Sequence, residues 1–349
     1  MDHHSPQSIR DGARASPVHA ANEWDPLREV VVGVAHGAMF PAEDTAMVRA
    51  TMPREHWSRF VPGNPFPAEV VHAAEQELDQ LATLLTERGV RVHRPLSLDW
   101  AALGGYSSAM PRDGLFVTGE RIIEAPMAWR SRRREHDAYL PLVQRLVKEG
   151  ARWLPAGVDR ETSGLLDGAG SRDGWVINNT RPAWDAADFL RLGEVVLGQL
   201  SHVTNPSGVA HLQERLGPEH RVHLVGPDDP HAMHIDATLC PLREGLALYN
   251  PERIAPHQLR RSPLRDWHLV AAPPPTPRSW PPLFMTSAWV HMNLLVVGPD
   301  QVVVEAADDA MADLLGGLGF TPLRCPFQHV QSLGGSFHCA TLDLRRHDG

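Results

Sequence analysis

The stretch that decides the fold is Leu294 to Cys325, LLVVGPDQVVVEAADDAMADLLGGLGFTPLRC. Leu294 to Val297 and Val302 to Glu305 are β-rich apolar runs, and the intervening Gly298-Pro299-Asp300 is a hairpin signal. Met311, Leu314, Leu315 and Leu318 then recur at helical spacing up to Gly319, and Phe320 to Cys325 reads as a further strand. The unit is a hairpin, an amphipathic helix and a short strand.

The same unit recurs along the chain. Leu115 to Val117 and Arg121 to Glu124 flank Thr118-Gly119, Tyr139, Val143, Leu146 and Val147 mark a helix closed by Gly150, and Ala151 to Leu154 follows. Asp188 to Leu197, turning near Gly193, starts another copy, with Val209, Leu212 and Leu216 before Gly217 and a strand at Arg221 to Val225. Asp236 to Cys240 and Leu246 to Tyr249 form a hairpin around Glu244-Gly245, followed by a weak helix from Gln258 to Arg265 and a strand from His268 to Ala271. The first copy has one hairpin strand, Glu29 to Val34, then a helix through Val71, Ala74, Leu78, Leu81 and Leu85 to Gly89, and a strand from Val90 to Arg94. Phe337 to Leu344 belongs to no module and is able to supply the missing strand. Five modules closing head to tail predict a single-domain, propeller-like α/β ring with no exposed sheet edge; the alternative is a three-layer α/β fold with irregular insertions.

The 349 residues carry a net charge of −9 and 42% apolar side chains, enough for a large core. With the acidic balance spread along the chain and no basic stripe, nucleic acid and anionic membranes are not expected as partners. Lys148 is the only lysine and lies far from any glycine-rich phosphate loop, which excludes a P-loop or a pyridoxal-phosphate Schiff base. Three cysteines without close pairing point to a reducing, cytoplasmic setting. Residues 1–21 read as a disordered polar tail and 22–349 as the folded domain; no apolar run reaches the length of a membrane span.

Four clusters carry candidate chemistry. In Gly334-Gly335-Ser336-Phe337-His338-Cys339-Ala340 the paired glycines let backbone approach a ligand beside a cysteine at a strand start, which suits a nucleophilic thiol. Cys240 and Cys325 sit among apolar residues and read as core. In His231-Ala232-Met233-His234-Ile235-Asp236, a strand beginning at Asp236 would turn His234 and Asp236 to one face. A metal site built from His231, His234 and Asp236 is the competing reading there, without a diagnostic ligand spacing to support it. Asp185-Ala186-Ala187-Asp188 reads as a helix cap or a functional pair, and Arg112-Asp113-Gly114 as a turn. Asp113, Asp185, Asp236 and Cys339 all lie where inner strands begin, so a ring would gather them at one end of its axis. Carboxylates around a thiol suit a guanidinium, whose N–H fork they bind bidentately while its carbon meets the sulfur.

At these positions the chain resembles the arginine amidinotransferases of the pentein, or guanidino-group-modifying, superfamily. The matching stretches are Asn22 to Leu27, Met110 to Asp113, Ile123 to Arg132, Asp185 to Phe189, Val203 to Asn205, His234 to Thr238, Met292-Asn293 and Gly334 to Arg346. The resemblance implies the five-module α/β propeller and transfer of the amidino group of L-arginine through a covalent amidino-cysteine to a primary amine, releasing L-ornithine with ping-pong kinetics. Cys339 would be the nucleophile, His234 the proton donor and acceptor, and Asp185 its support. Asp113 and Asp236 would grip the guanidinium, Arg253 the substrate carboxylate, and Thr286-Ser287 would stand where the family has a Ser-Ser pair. It implies no cofactor and no metal, and homodimers are common in the family.

Departures from the family pattern concern the acceptor. Ser336 replaces the third glycine of a GGGFHC run, and His231 lies in the loop where acceptor choice is expected to be read; both speak against glycine. Asp188 stands where the aminocyclitol-phosphate branch tends to have Asn. An amino acid or other small primary amine is the preferred acceptor, in a bacterial cytosolic enzyme of secondary metabolism. An arginine deiminase-type hydrolase giving citrulline and ammonia, and a catalytically silent arginine-binding protein, are the alternatives.

Overall fold

The computed structural model of the chain describes residues 16–43, 45–158, 164–166 and 174–347. Its strands are β1 (Leu27–Val32), β2 (Arg91–His93), β3 (Leu115–Thr118), β4 (Arg121–Glu124), β5 (Arg152–Leu154), β6 (Phe189–Leu192), β7 (Val195–Gln199) and β8 (Arg221–Val225). There follow β9 (Leu239–Arg243), β10 (Leu246–Tyr249), β11 (His268–Ala271), β12 (Leu295–Gly298), β13 (Gln301–Glu305), β14 (Thr321–Cys325) and β15 (Thr341–Arg346). They pair as five three-stranded sheets, β3-β4-β5, β6-β7-β8, β9-β10-β11, β12-β13-β14 and β15-β1-β2. In every sheet the first two strands are antiparallel and the third runs parallel to the second. The fifth follows the same rule only because β15 supplies the strand that the first repeat lacks, pairing Leu342 with Val31 and Thr341 with Val32. This is the pentein-type five-module propeller.

The deciding repeat folds for the reasons its sequence gives. Val302, Val303 and Val304 are fully buried, and the helix Asp309–Gly317 buries Met311, Ala312 and Leu315 against Val302 and Val304. Asp308 caps that helix by accepting from the Met311 N–H at 3.1 Å, and Gly319, at φ +88°, makes the left-handed exit. Burial falls from the first strand of each sheet to the third: β3 is wholly buried and β5 largely accessible. First strands therefore line the axis and third strands face outward, under helices such as Ala68–Thr86, Leu140–Lys148 and Pro206–Leu216.

Several boundaries differ from expectation. The fourth module's helix covers only Pro256–Leu259, since Pro263 cannot continue it. Asp236 does not begin a strand; it lies in a helical turn, Ile235–Ala237, closed by Thr238 N–H on the Ile235 carbonyl at 2.8 Å. Phe337 to Ala340 is likewise a turn, with the Ala340 N–H on the Ser336 carbonyl at 2.8 Å, so Cys339 precedes the closing strand. Residues 1–15 of the expected tail lie outside the described residues. Residues 16–21 pack rather than hang free: Val18 and Ala20 are fully buried, and His19 donates to Leu344 at 2.8 Å. Among the described residues no helix is long and apolar enough to cross a membrane.

Such turns recur at the inner end of each sheet. Pro111–Gly114, Ala186–Asp188, Ile235–Ala237, Ala288–Met292 and the Phe337 to Ala340 turn precede β3, β6, β9, β12 and β15. Asp113, Asp188, Asp236, Asn293 and Cys339 occupy corresponding places one to three residues before those strands. The fold thus delivers five polar side chains to one end of its axis.

Candidate active site

Cys339 is 2% exposed at the floor of a cavity of about 240 Å³, which is lined also by His231, His234, Asp236, Arg253, Thr286, Ser287, Asn293, Gly334 and Gly335. A space of this size suits a small molecule more than a large cofactor. The glycines are required by contact: a Cβ on Gly335 would stand 2.6 Å from Met110 Sδ and 2.7 Å from Cys339 Cβ, and Gly334 has φ +120°. Cys339 Sγ donates to Asp236 Oδ2 at 3.2 Å and accepts from Asn293 Nδ2 at 3.0 Å. Burial raises the thiol well above its ordinary pKa, and the charges of Asp236 and Asp113 push it further. The thiol is therefore protonated at neutral pH when the cavity holds no cation.

His234 stands between two acids. Its Nε2 is 3.1 Å from Asp185 Oδ2 and its Nδ1 3.9 Å from Asp113 Oδ1. Burial alone would lower its pKa, but the Asp113 charge and the Asp185 hydrogen bond outweigh it and raise the value to about 10, so the ring is an imidazolium. Its backbone lies at φ 64°, an uncommon conformation for a residue with a Cβ, imposed by the turn that aims the ring inward. Asp113 and Asp185 stand behind His234 and do not themselves line the cavity. Both are clamped by Arg132, which donates to Asp113 Oδ2 at 2.8 Å and lies 3.6 Å from Asp185 Oδ2, its own orientation fixed by Glu135 at 2.7 Å. Asp113 Oδ1 and Asp185 Oδ1 are buried without a hydrogen-bond partner.

Arg253 donates from Nη2 to Ser287 Oγ at 2.8 Å and lies 3.1 Å from Asp229 Oδ2, so its guanidinium is presented at the cavity wall. His231 turns its Nδ1 to the Ala50 carbonyl at 2.9 Å, away from the geometry of a shared metal site with His234 and Asp236. Asp113, His234 and Cys339 do offer ligand atoms within 4.8 Å of one another, and they are the described residues that could hold a metal ion. A metal would have to displace protons from both the imidazolium and the thiol. What the residues as they stand provide is a thiol, a proton-bearing imidazole and carboxylates around one small space, the equipment for attack on a cationic carbon.

No family model matches the chain. It is 41% identical over 357 residues to the L-arginine:L-lysine amidinotransferase of Pseudomonas savastanoi pv. phaseolicola, covering 97% of each chain. The chain belongs to the arginine amidinotransferases. It is also 36% identical to the mitochondrial glycine amidinotransferase of Danio rerio over 356 residues, 96% of this chain and 84% of that one. The solved inosamine-phosphate amidinotransferase StrB1 of Streptomyces griseus superposes with a TM-score of 0.86 at 36% identity, over 96% of this chain and 98% of the other. The protein is thus a transferase that moves the amidino group of arginine to an amine acceptor.

Within this amidinotransferase, two residues read from sequence as bearing on the acceptor lie outside the cavity. Asp188 is fully buried, accepting from Gln199, Ser201 and Thr204 at 2.9, 2.7 and 2.5 Å, and holds the turn below Asp185. Ser336 is buried and accepts from Gln331 Nε2 at 3.2 Å. The Pro-rich run 273–282 borders a neighbouring cavity of about 830 Å³ that shares Glu252, Ser287, Trp289 and Val290 with the catalytic one. Conversely, Asn293 and Arg132 fell inside the matching stretches Met292-Asn293 and Ile123 to Arg132, yet nothing local marked their roles, because their partners are distant in sequence.

Proposed function

We propose that amidino transfer proceeds through a covalent amidino-cysteine on Cys339 and that the acceptor is an amino acid or another small primary amine without a phosphate. The observation that carries the first part is a thiol and an imidazolium facing one cavity, with carboxylates set to receive a guanidinium. Arginine's guanidinium enters against Asp236, within the field of Asp113 behind His234, and offsets the charges that keep the thiol protonated; the thiol proton passes to solvent by way of Asp236 Oδ2, its partner at 3.2 Å. The sulfur then bonds to the guanidinium carbon. Asp185 holds His234 Nε2, so Nδ1 gives its proton to the nitrogen on the ornithine side as the carbon–nitrogen bond breaks. Ornithine departs as a free amine. An acceptor amine attacks the amidino carbon, returns a proton to His234 Nδ1, and the carbon–sulfur bond breaks to restore the thiolate. Arg253, steadied by Ser287 and Asp229, holds the substrate carboxylate beside Thr286, and His231 borders the acceptor's side.

The acceptor class is supported by the charges of the cavity lining, where Asp228 and Glu252 are exposed carboxylates and Arg253 is the guanidinium. A phosphorylated acceptor would meet those carboxylates with no second guanidinium to receive it. Three unpaired thiols fit a reducing, cytoplasmic setting. The test is intact mass after brief exposure to L-arginine, followed by an amine panel. An amidino adduct, absent from Cys339→Ala and discharged by small amines but not by aminocyclitol phosphates, is expected. Citrulline and ammonia from arginine alone would assign the hydrolytic reaction instead, and wild-type protein without an adduct would overturn the covalent route.

A further inference from the structure

His338, the residue before the thiol, is 6% exposed and has both ring nitrogens on carboxylates. Its Nδ1 lies 3.0 Å from Asp236 Oδ2 and its Nε2 3.2 Å from Glu23 Oε2. Ionised carboxylates accept and do not donate, so the ring is held between these two oxygens by hydrogen bonds that it supplies. Both acids are held in that state. Burial alone would raise Glu23, but Arg191, His338 and Arg112 bring it well below the ordinary carboxylate range. Burial is likewise overcome at Asp236 by His338, with His234 and Cys339 contributing.

The line continues beyond Glu23. Arg191 donates to Glu23 Oε2 at 2.6 Å and to Asp343 Oδ2 at 2.5 Å, and Asp343 also accepts from Arg112 and Arg346, each at 2.7 Å. Arg112 donates to the carbonyls of His338 and Thr341, both at 2.9 Å, which pins the backbone of the cysteine turn. From Cys339 Sγ the hydrogen-bonded path thus runs through Asp236 and His338 into an axial ion network. Asp236 Oδ2 takes both the thiol and the imidazole, which leaves Oδ1 for a ligand in the cavity that Asp236 lines.

We infer that His338 is a positioning residue for the transfer reaction: it locks the Asp236 carboxylate in its substrate-binding orientation and, by donating to the same oxygen that takes the thiol, limits how strongly Asp236 disfavours the Cys339 thiolate. This rests on the assignment of Cys339 as nucleophile and Asp236 as guanidinium ligand. Asp113 and Asp236 face the thiol, His234 and Arg253 face Asp236, and Arg112, Arg191 and Asp343 face Glu23. His338 is the imidazole hydrogen-bonded to the carboxylate that touches sulfur.

Two variants test that hydrogen bond. His338→Asn keeps a donor near the Nδ1 position, and His338→Ala does not. In His338→Ala the KM for arginine is expected to rise about tenfold or more while kcat changes by less than about threefold, and in His338→Asn KM stays within about threefold of wild type. In His338→Ala the pH midpoint for iodoacetamide alkylation of Cys339 without arginine moves up by about half a unit or more, because the donor that shares the Asp236 oxygen with the thiol is gone. Cys339→Ala reports background labelling, and melting curves check that folding is retained. Unchanged KM and alkylation midpoint in His338→Ala, or a KM in His338→Asn as high as in His338→Ala, would overturn the inference. Should neither variant fold, Glu23→Gln keeps an acceptor for Nε2 but weakens the hydrogen bond that holds the ring on Asp236; the same upward shift is expected, and its absence overturns the inference. The wild-type amidino adduct is scored in parallel: without it the nucleophile assignment fails, whereas an adduct with unmoved His338 variants defeats only the positioning role.

Discussion

Asn293 brackets Cys339. Its Oδ1 accepts from the Cys339 N–H at 3.0 Å, which fixes the amide so that Nδ2 faces Sγ, also at 3.0 Å. The amide is the described group whose hydrogen bond favours the thiolate, opposing the carboxylates that disfavour it. Asn293→Ala is expected to lower kcat/KM for arginine by about 10- to 100-fold, the range for a hydrogen bond to a charged group. Steady-state kinetics beside a melting curve check this; a loss of activity that merely tracks lost stability would contradict it.

The His234 pair makes stability depend on alkaline pH. An unfolded histidine titrates near 6.5 and the folded one near 10, so the folded state binds the extra proton across that interval. The stabilisation is fully present below about 6.5 and is lost as the pH rises through about 10. Urea midpoints of the wild type should therefore fall between neutral pH and pH about 10, and Asp185→Asn should shift that fall to lower pH. Superimposable pH profiles for the two proteins would show that the pair does not hold this proton.

Gly335 leaves no room for a methyl group beside the nucleophile. Gly335→Ala should reduce kcat by about 100-fold by displacing Cys339, at a stability cost of about 1–3 kcal/mol. Gly316 lies in the helix Asp309–Gly317 with open space where a Cβ would be. Gly316→Ala should leave kcat alone and stabilise by about 0.5–1 kcal/mol. Comparable kinetic damage at both positions would argue against the steric account.

Arg132 satisfies Glu135 and Asp113 at once in a fully buried setting. Arg132→Met strands those carboxylates, and a loss of about 3–5 kcal/mol is expected by denaturant titration. A loss near zero would mean that the acids take up protons or water without cost.

The ring was legible because apolar periodicity switches from strand to helix at the same points in each repeat, and because Phe337 to Leu344 had no module of its own. The turns before the inner strands were not. Ile235 and Phe337 are good strand formers, and what bends their segments is non-local: Arg112 reaches the His338 and Thr341 carbonyls across more than 220 residues, and Asn293 takes the Cys339 N–H. The same distance hid Arg132, Asn293 and His338, whose chemistry exists only once partners from other modules arrive. Asp188 and Ser336, singled out by comparison with the family pattern, are buried in packed protein beside the site and do not line its cavity.

β15 closes the ring against β1, and Cys339 lies two residues before it. During translation every other strand of the propeller leaves the ribosome earlier, so the carboxylates, the histidine and the arginine clamp are made long before the sulfur. A chain stalled before Cys339 would lack both its nucleophile and the seam that joins first module to last. Chemical competence and topological completion therefore arrive with the same short segment, and a partly made chain has no means of consuming arginine.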